Sequence, residues 1–299
     1  MMKSTVLLSM GFVLLWNSGF IGAEFGLAHT GPLTLLFWRY SALTCLILIY
    51  LMTTKRLRWV GWRAAGPNML VGVLAHGVWL ACVLLALTRG VPAGVVALVV
   101  ALQPLATGAF SGRVANEPTP VSRWLGLMIG FAGVAVVVIN RMDFQSYSSI
   151  FGYLVPLGSV IAITAASLIQ RRMEVRKSAA KLPVDLALFY QSLATTAALA
   201  LPAILLESLA AQWESELVYA MIWLIFGVSL GAYALMWLLI ERIDATRVAS
   251  LFYLGPPVTM LMAWVAFGDT LIFSDVVGLI VVILGVVLVS SRVRWRVQK

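Results

Sequence analysis

The 299-residue chain is 62% hydrophobic and only 11% charged, with a mean hydropathy of +0.98. Soluble globular domains carry about 25% charged residues, so that class is excluded. A net charge of +9 would suggest nucleic acid in a soluble protein, but here it is distributed as a topology signal. Cys45 and Cys82 are the only cysteines and each sits in an apolar stretch. A disulfide framework is thereby excluded, and neither cysteine has metal-ligand spacing.

Apolar runs between polar breaks predict ten spans in chain order: 4–27, 33–53, 64–88, 92–112, 122–140, 149–170, 183–206, 218–240, 246–267 and 273–291. Each is close to the twenty or so residues that cross roughly 30 Å of hydrocarbon. The first follows a single lysine and precedes no small-residue cleavage site, so it is expected as a retained helix. Connections are short, which leaves chemistry only in the membrane or at its faces. All but three of the 21 lysines and arginines fall on the side of the termini, the exceptions being Arg39, Arg89 and Arg141. The positive-inside rule then places both termini in the cytoplasm. The opposite face is acidic, with Asp143, Glu207, Glu214, Glu216, Asp269 and Asp275.

The chain also contains one design twice. A shift of 152 positions carries Gly90–Val138 without a gap onto Arg242–Ser290, so that Ala93 meets Ala245, Ala97 meets Ala249, Leu102 meets Leu254 and Pro104 meets Pro256. Thr107, Gly126 and Gly133 land on Thr259, Gly278 and Gly285, and Phe37 on Phe189. Five spans per half is an odd number, so the second half enters the membrane upside down. The expected fold is an all-α integral membrane protein of ten transmembrane helices in two inverted five-helix repeats, 4–140 and 149–291, followed by a basic cytoplasmic tail at 292–299. Inverted repeats supply two mirror-facing conformations, the requirement for alternating access.

Polar groups and prolines at mid-span are costly and call for a reason. Asn17 and Ser18 fall near the centre of the first span, His76 at the centre of the third with Trp79 one turn beyond, and Gln103-Pro104 near the centre of the fourth. Gly255-Pro256-Pro257 occupies the ninth, and Ser159, Thr164, Gln191, Ser229 and Tyr233 lie midway along the sixth to eighth. His76 is the only mid-span group whose ordinary pKa is near neutrality, so it suits proton transfer, a substrate carboxylate or a plain interhelical hydrogen bond. Trp16, Trp79, Trp237, Tyr233 and Tyr253 suit stacking on an organic solute as well as packing. Pro104 and Pro256 sit at matched depth and each frees a carbonyl about one turn earlier. That makes a hinge or a lined cavity the expectation at these two positions, against a static kink. Glu24 and Arg39 near the ends of their spans read as a pair or as snorkelling side chains.

These segments together resemble the drug/metabolite transporter superfamily, specifically its EamA-type members. The resemblance is carried by Leu15-Trp16-Asn17-Ser18-Gly19-Phe20, Gly31-Pro32-Leu33-Thr34, Phe37-Trp38-Arg39-Tyr40, Ala93-Gly94-Val95, Leu102-Gln103-Pro104 and Leu254-Gly255-Pro256. It implies an inner (plasma) membrane carrier with a central cavity lined by helices 1, 3, 4, 6, 8 and 9, and with helices 5 and 10 set apart as a homodimer contact. Its implied substrate-binding residues are Trp16, Asn17, His76, Trp79, Gln103, Tyr233 and Tyr253, with Pro104, Gly255 and Pro256 as hinge and cavity backbone.

The function expected is export of a small metabolite, an amino acid or related solute, through a neutral aromatic cavity in the lipid bilayer. No cofactor, metal or nucleic acid is implied. Proton coupling through His76 and uniport both fit. The rival within transport is a proton-coupled drug or cation exporter using Glu24. The more remote rivals are a membrane scaffold and an enzyme, although the loops offer no acid/base or metal cluster for catalysis.

Overall fold

A computed structural model describes residues 2–115, 121–175, 182–242 and 251–291. The tail 292–299, residues 246–250 of the ninth expected span and the repeat positions Ala245 and Ala249 lie outside the described residues. Within them all regular secondary structure is helical, apart from one isolated bridge between Thr30 and Ala211. The helices are α1 (Met2–Leu27), α2 (Pro32–Thr53), α3 (Trp62–Gly72), α4 (Trp79–Leu87), α5 (Ala93–Val100), α6 (Leu102–Ala115) and α7 (Val121–Arg141). There follow α8 (Tyr147–Val175), α9 (Val184–Glu207), α10 (Ser215–Ile222), α11 (Tyr233–Arg242), α12 (Gly255–Phe267) and α13 (Phe273–Ser291). A π-helical stretch, Val73–Val78, joins α3 to α4, and another, Trp223–Ala232, joins α10 to α11.

Counting α3–α4, α5–α6 and α10–α11 as continuous rods, eight described helices are long and apolar enough to cross a membrane. Two more, Phe252–Phe267 and Phe273–Leu288, are apolar but shorter. The span expected over 92–112 is broken at Ala101. Pro104 has no N–H to give to the carbonyl of Val100, so the regular ladder cannot run through that point. Gly268 closes α12 at φ +75, a left-handed cap that a side chain would strain.

Large apolar side chains such as Leu7, Ile161, Leu206 and Val265 point outward, as lipid contact requires and water would not favour. At the other extreme, every residue of α5 from Ala93 to Val99 is buried. That helix is the central post of the bundle. It lies close to α12 because Gly94 has no side chain: a β-carbon there would fall 2.3 Å from Met260 Cγ.

The other close approaches follow the same logic. A β-carbon on Gly133 would lie 2.8 Å from the Gly278 carbonyl oxygen, and one on Gly285 would lie 2.7 Å from that of Gly126. These two contacts between α7 and α13 exchange under a shift of 152 positions. Small residues thus let the backbones meet, which is the main source of helix attraction where lipid is as apolar as leucine. The glycine faces of the fifth and tenth spans are therefore spent within the chain. A partner molecule at these helices would meet their outward side chains, Phe131, Ile139, Ile280 and Leu284 among them.

Between α2 and α9, Thr44 and Thr196 lie 3.4 Å apart through their hydroxyls. These positions are also 152 apart, so the two helices cross at equivalent points. The two π-helical stretches correspond as well, since 73–78 shifts onto 225–230 within the second.

At one end of the bundle the connections are tied together. Glu207, at the end of α9, accepts hydrogen bonds from the first free amides of α2, Leu33 (3.1 Å) and Thr34 (2.7 Å). Its charge and those amides match the positive end of the helix dipole. Thr30 bonds the Ala210 carbonyl and His29 meets Glu216 at 2.9 Å. Further round, Arg141 forks onto the buried Asp275 and also reaches the Thr270 carbonyl. Burial pushes the nearby Asp269 carboxyl above its ordinary value, with the Arg141 charge pulling the other way. At the opposite end, Arg56 pairs with Asp185 at 2.8 Å and Tyr190 donates to the Arg58 carbonyl.

Candidate functional site

Two small chambers lie between the helices, sharing a wall of Trp16, Phe20 and Trp79. The first is bounded by Trp16 and Ala23 on α1, Arg39 and Tyr40 on α2, His76 and Trp79 on the α3–α4 rod, and Val228 and Tyr233 on the α10–α11 rod. The second is bounded by Asn17, Gln103, Pro104, Phe252, Gly255 and Pro256. Each offers about 50 Å³ and 40 Å³ respectively to the centre of a water molecule. That is room for a few waters in each. A wider groove beside Phe25, Trp223 and Val265 is apolar and opens outward, where acyl chains would lie.

His76 is positioned by backbone contact. A β-carbon on Gly72 would fall 2.4 Å from the Gln191 backbone, so α3 runs hard against α9 at that residue. At the next residue the chain enters its π-helical stretch, a feature frequent at functional sites. There His76 is buried with Nε2 at 3.3 Å from Gln191 Oε1. Its ring also lies 5.4 Å from that of Tyr40 and 6.3 Å from that of Tyr233. Trp16 stacks obliquely on Tyr233 at 5.4 Å and meets Phe252 edge-on at 5.1 Å. Such offset and edge-to-face pairs are each worth about 1 kcal/mol beyond burial and hold the rings in place. Trp79 lines both chambers, and its indole N–H is buried with no partner among the described residues.

In the second chamber Asn17 is a strut as well as a lining residue. Its amide donates to the Val13 carbonyl at 2.7 Å while its oxygen accepts from Thr259 at 3.1 Å. Gly255 makes room for it, a β-carbon there standing 3.0 Å from Asn17 Oδ1. Gln103 donates to the Ser167 hydroxyl at 3.3 Å. Pro104 and Pro256 both border this chamber.

Nine of the ten residues expected at the site thus line one chamber or both. Tyr253 lines neither; it packs against the main core, and its neighbour Phe252 takes the place on the wall.

Arg39 departs further from expectation. It does not reach the headgroups and forms no pair with Glu24. It is 6% exposed, lines the first chamber, and gives two N–H groups, from Nε (3.1 Å) and Nη2 (2.8 Å), to the Ser229 hydroxyl. The cavity is therefore not neutral. Seven residues beyond Pro32, Arg39 lies roughly 10 Å into the helix, a depth that counting from the span's edge underrates. Ser229 was visible in the sequence only as one more mid-span hydroxyl. Glu24 remains away from both chambers, with Oε2 buried and unpartnered among the described residues.

Comparison with known proteins bears on this architecture. The model of the EamA-like transporter family matches residues 3–139 and again 150–291. The uncharacterized transporter YvbV of Bacillus subtilis is 24% identical over 290 residues, covering 96% of this chain and 92% of its own. The uncharacterized inner membrane transporter YedA of Escherichia coli K12 is 28% identical over 280 residues, 93% of this chain and 87% of its own. A Salmonella typhimurium protein named as a probable amino-acid metabolite efflux pump is 22% identical over 284 residues, 93% of this chain and 92% of its own. A solved crystal structure superposes with a TM-score of 0.65 at 21% identity over 99% of both chains, which shows a common fold. The chain belongs to the EamA-like transporter family of the drug/metabolite transporter superfamily: it is a multi-pass membrane transporter, not an enzyme.

Proposed function

We propose that this transporter exports a small organic metabolite, an amino acid or a close relative, from the cytoplasm by alternating access through the two central chambers. The observation that carries the reading is the pair of chambers itself. Aromatic rings and hydrogen-bonding side chains from both halves of the chain converge there, and the helix break at Ala101 with Pro104, and the start of α12 at Gly255-Pro256, form part of the wall. The name of the Salmonella relative supports the solute class.

The accompanying membrane arrangement is ten spans in the inner (plasma) membrane, in two inverted repeats at 4–140 and 149–291, with both termini and the 292–299 tail in the cytoplasm. The Thr44–Thr196 contact, between positions 152 apart, and the α7–α13 glycine contacts, which exchange under that shift, support the repeat. In that orientation the end tied by Glu207, His29 and Arg141 faces outward and closes the outer mouth. Self-association through the fifth and tenth spans would use their outward faces.

The test is flux of radiolabelled amino acids from proteoliposomes, with and without a pH gradient. Saturable flux is the expected result, and its acceleration by the gradient would identify proton coupling. A second reading, proton-coupled export of lipophilic cations, is favoured by the unpartnered Glu24 carboxylate. It takes over if no amino acid moves while a lipophilic cation does, and if Glu24→Gln abolishes that movement.

A further inference from the structure

We propose that Arg39 is the anchor for a carboxylate on the transported solute, so that the first chamber selects its cargo by a negative end. This deepens the transport reading and rests on it.

A guanidinium is charged at every accessible pH and carries five N–H donors in a planar fork. Placed at depth in a membrane it is costly unless something answers its charge. The other ion pairs of the described residues lie at the two ends of the bundle, at His29–Glu216, Arg56–Asp185 and Arg141–Asp275. Arg39 has none. Its partners are the Ser229 hydroxyl, which takes two of the five donors, and the Tyr40 ring, 5.7 Å from the guanidinium carbon. Neutral partners fix the position of the fork without answering its charge. A purely structural arginine would be expected to face a carboxylate or a ring of carbonyls. This one faces a void shared with Trp16, Tyr40, His76, Trp79 and Tyr233.

The chemistry of the walls narrows the ligand. One guanidinium suits a single carboxylate, which it can hold by two parallel hydrogen bonds. Neither chamber has an aspartate or glutamate among its described lining residues, so an ammonium group finds no counter-charge there. The unpaired indole N–H of Trp79 adds a donor, not an acceptor. The handle is therefore the acid end, and the rest of the molecule lies against rings and aliphatic chains.

The two halves of the chain make the same point by contrast. Position 191 is the counterpart of position 39 at a shift of 152, and it holds glutamine. Both side chains reach across to a π-helical stretch, Arg39 to Ser229 and Gln191 to His76. The two contacts correspond to within one position under the shift, and only one of them is made by an arginine. The solute is thus held at one end, by α2 and the α10–α11 rod.

Three solutes of one size test this: leucine, 4-methylpentanoate, which lacks the amine, and 3-methylbutylamine, which lacks the acid. Tryptophan emission of the purified full-length protein reports binding, because Trp16 and Trp79 form the shared wall. Both acids should quench saturably in the wild type and the amine should not. Arg39→Gln should weaken both acids by at least about tenfold, and Arg39→Lys should keep the order of acid over amine with reduced affinity. The relative affinity of leucine and 4-methylpentanoate tells an amino acid from a plain acid, and either supports the anchor. The anchor is overturned if the amine binds as tightly as the acids, if neither acid binds, or if Arg39→Gln binds the acids unchanged. The wild-type comparison decides even if the variants do not fold. Failure of the transport reading looks different: acid binding that depends on Arg39, with no flux of any of the three solutes in proteoliposomes.

Discussion

Arg39 and His76 illustrate what a single side chain reveals before and after folding. A histidine in an apolar run stands out by type alone. An arginine a few residues inside a span reads as a snorkelling end, because its depth depends on where the helix starts and what packs over it. Pro32 starts α2, the α10–α11 rod covers Arg39, and the charge ends up inside. Tyr253 shows the reverse error. Its ring suits stacking on a solute and the family resemblance implies it at the site, but in the 3-10 turn Phe252–Leu254 it is the neighbouring Phe252 that lines the chamber. At this scale we expect His76→Ala and Trp79→Ala each to lower solute flux at least tenfold, with insertion and monodispersity retained. Wild-type flux in both would remove these residues from the site. Asp269 offers a test outside the membrane spans. Burial raises its folded-state pKa above the unfolded value, so the folded form gains relative stability as pH falls through that window and loses it as pH rises. Asp269→Asn should therefore raise the melting temperature at neutral pH, with the gain vanishing in acid. A gain independent of pH would argue against a burial cost of the charge.

Helices were the more legible level, for a plain reason: a twenty-residue apolar run has one stable solution in lipid, since every backbone group must be bonded within it. What periodicity could not show is where that ladder changes pitch. The π-helical stretches at Val73–Val78 and Trp223–Ala232 carry no proline and no distinctive composition, yet they bring His76 and Ser229 to the site. The break at Ala101 was foreshadowed by Pro104 but falls ahead of it. Glycine spacing on the fifth and tenth spans indicated close packing without saying to what. Its partner turns out to be the other glycine helix. Gly285→Val should consequently force α7 and α13 apart and cost about 1–3 kcal/mol, as overpacking does. We expect a lowered melting temperature in detergent, whereas Ile280→Val, on the outward face, should leave it within experimental error.

For the molecule as a whole, the shift of 152 positions had the widest reach, because it relates contacts as well as residues. Thr44 to Thr196, Gly133 to Gly278 and Gly126 to Gly285 are all approaches that the shift carries into themselves or each other. The ends of the bundle could not be read this way, since their side chains differ: Glu207 binds amides at one end, while Arg56 binds Asp185 at the other. If the tied end is a mouth that must open in each cycle, Glu207→Gln should speed its opening and weaken its closure. Accessibility of a cysteine placed at Ala211 to a membrane-impermeant thiol reagent should then rise in a background free of Cys45 and Cys82; unchanged labelling would show that the tie is static. The contrast between Arg39 and Gln191 has one more consequence. A carrier made of two copies of a single half would present two like charges to one solute, or bind two solutes at once. Joining the halves in one polypeptide lets the second position become neutral. If Arg39 anchors the solute, the cargo per cycle should be one molecule, carried in a fixed head-to-tail sense, and the stoichiometry should trace to a divergence at one codon.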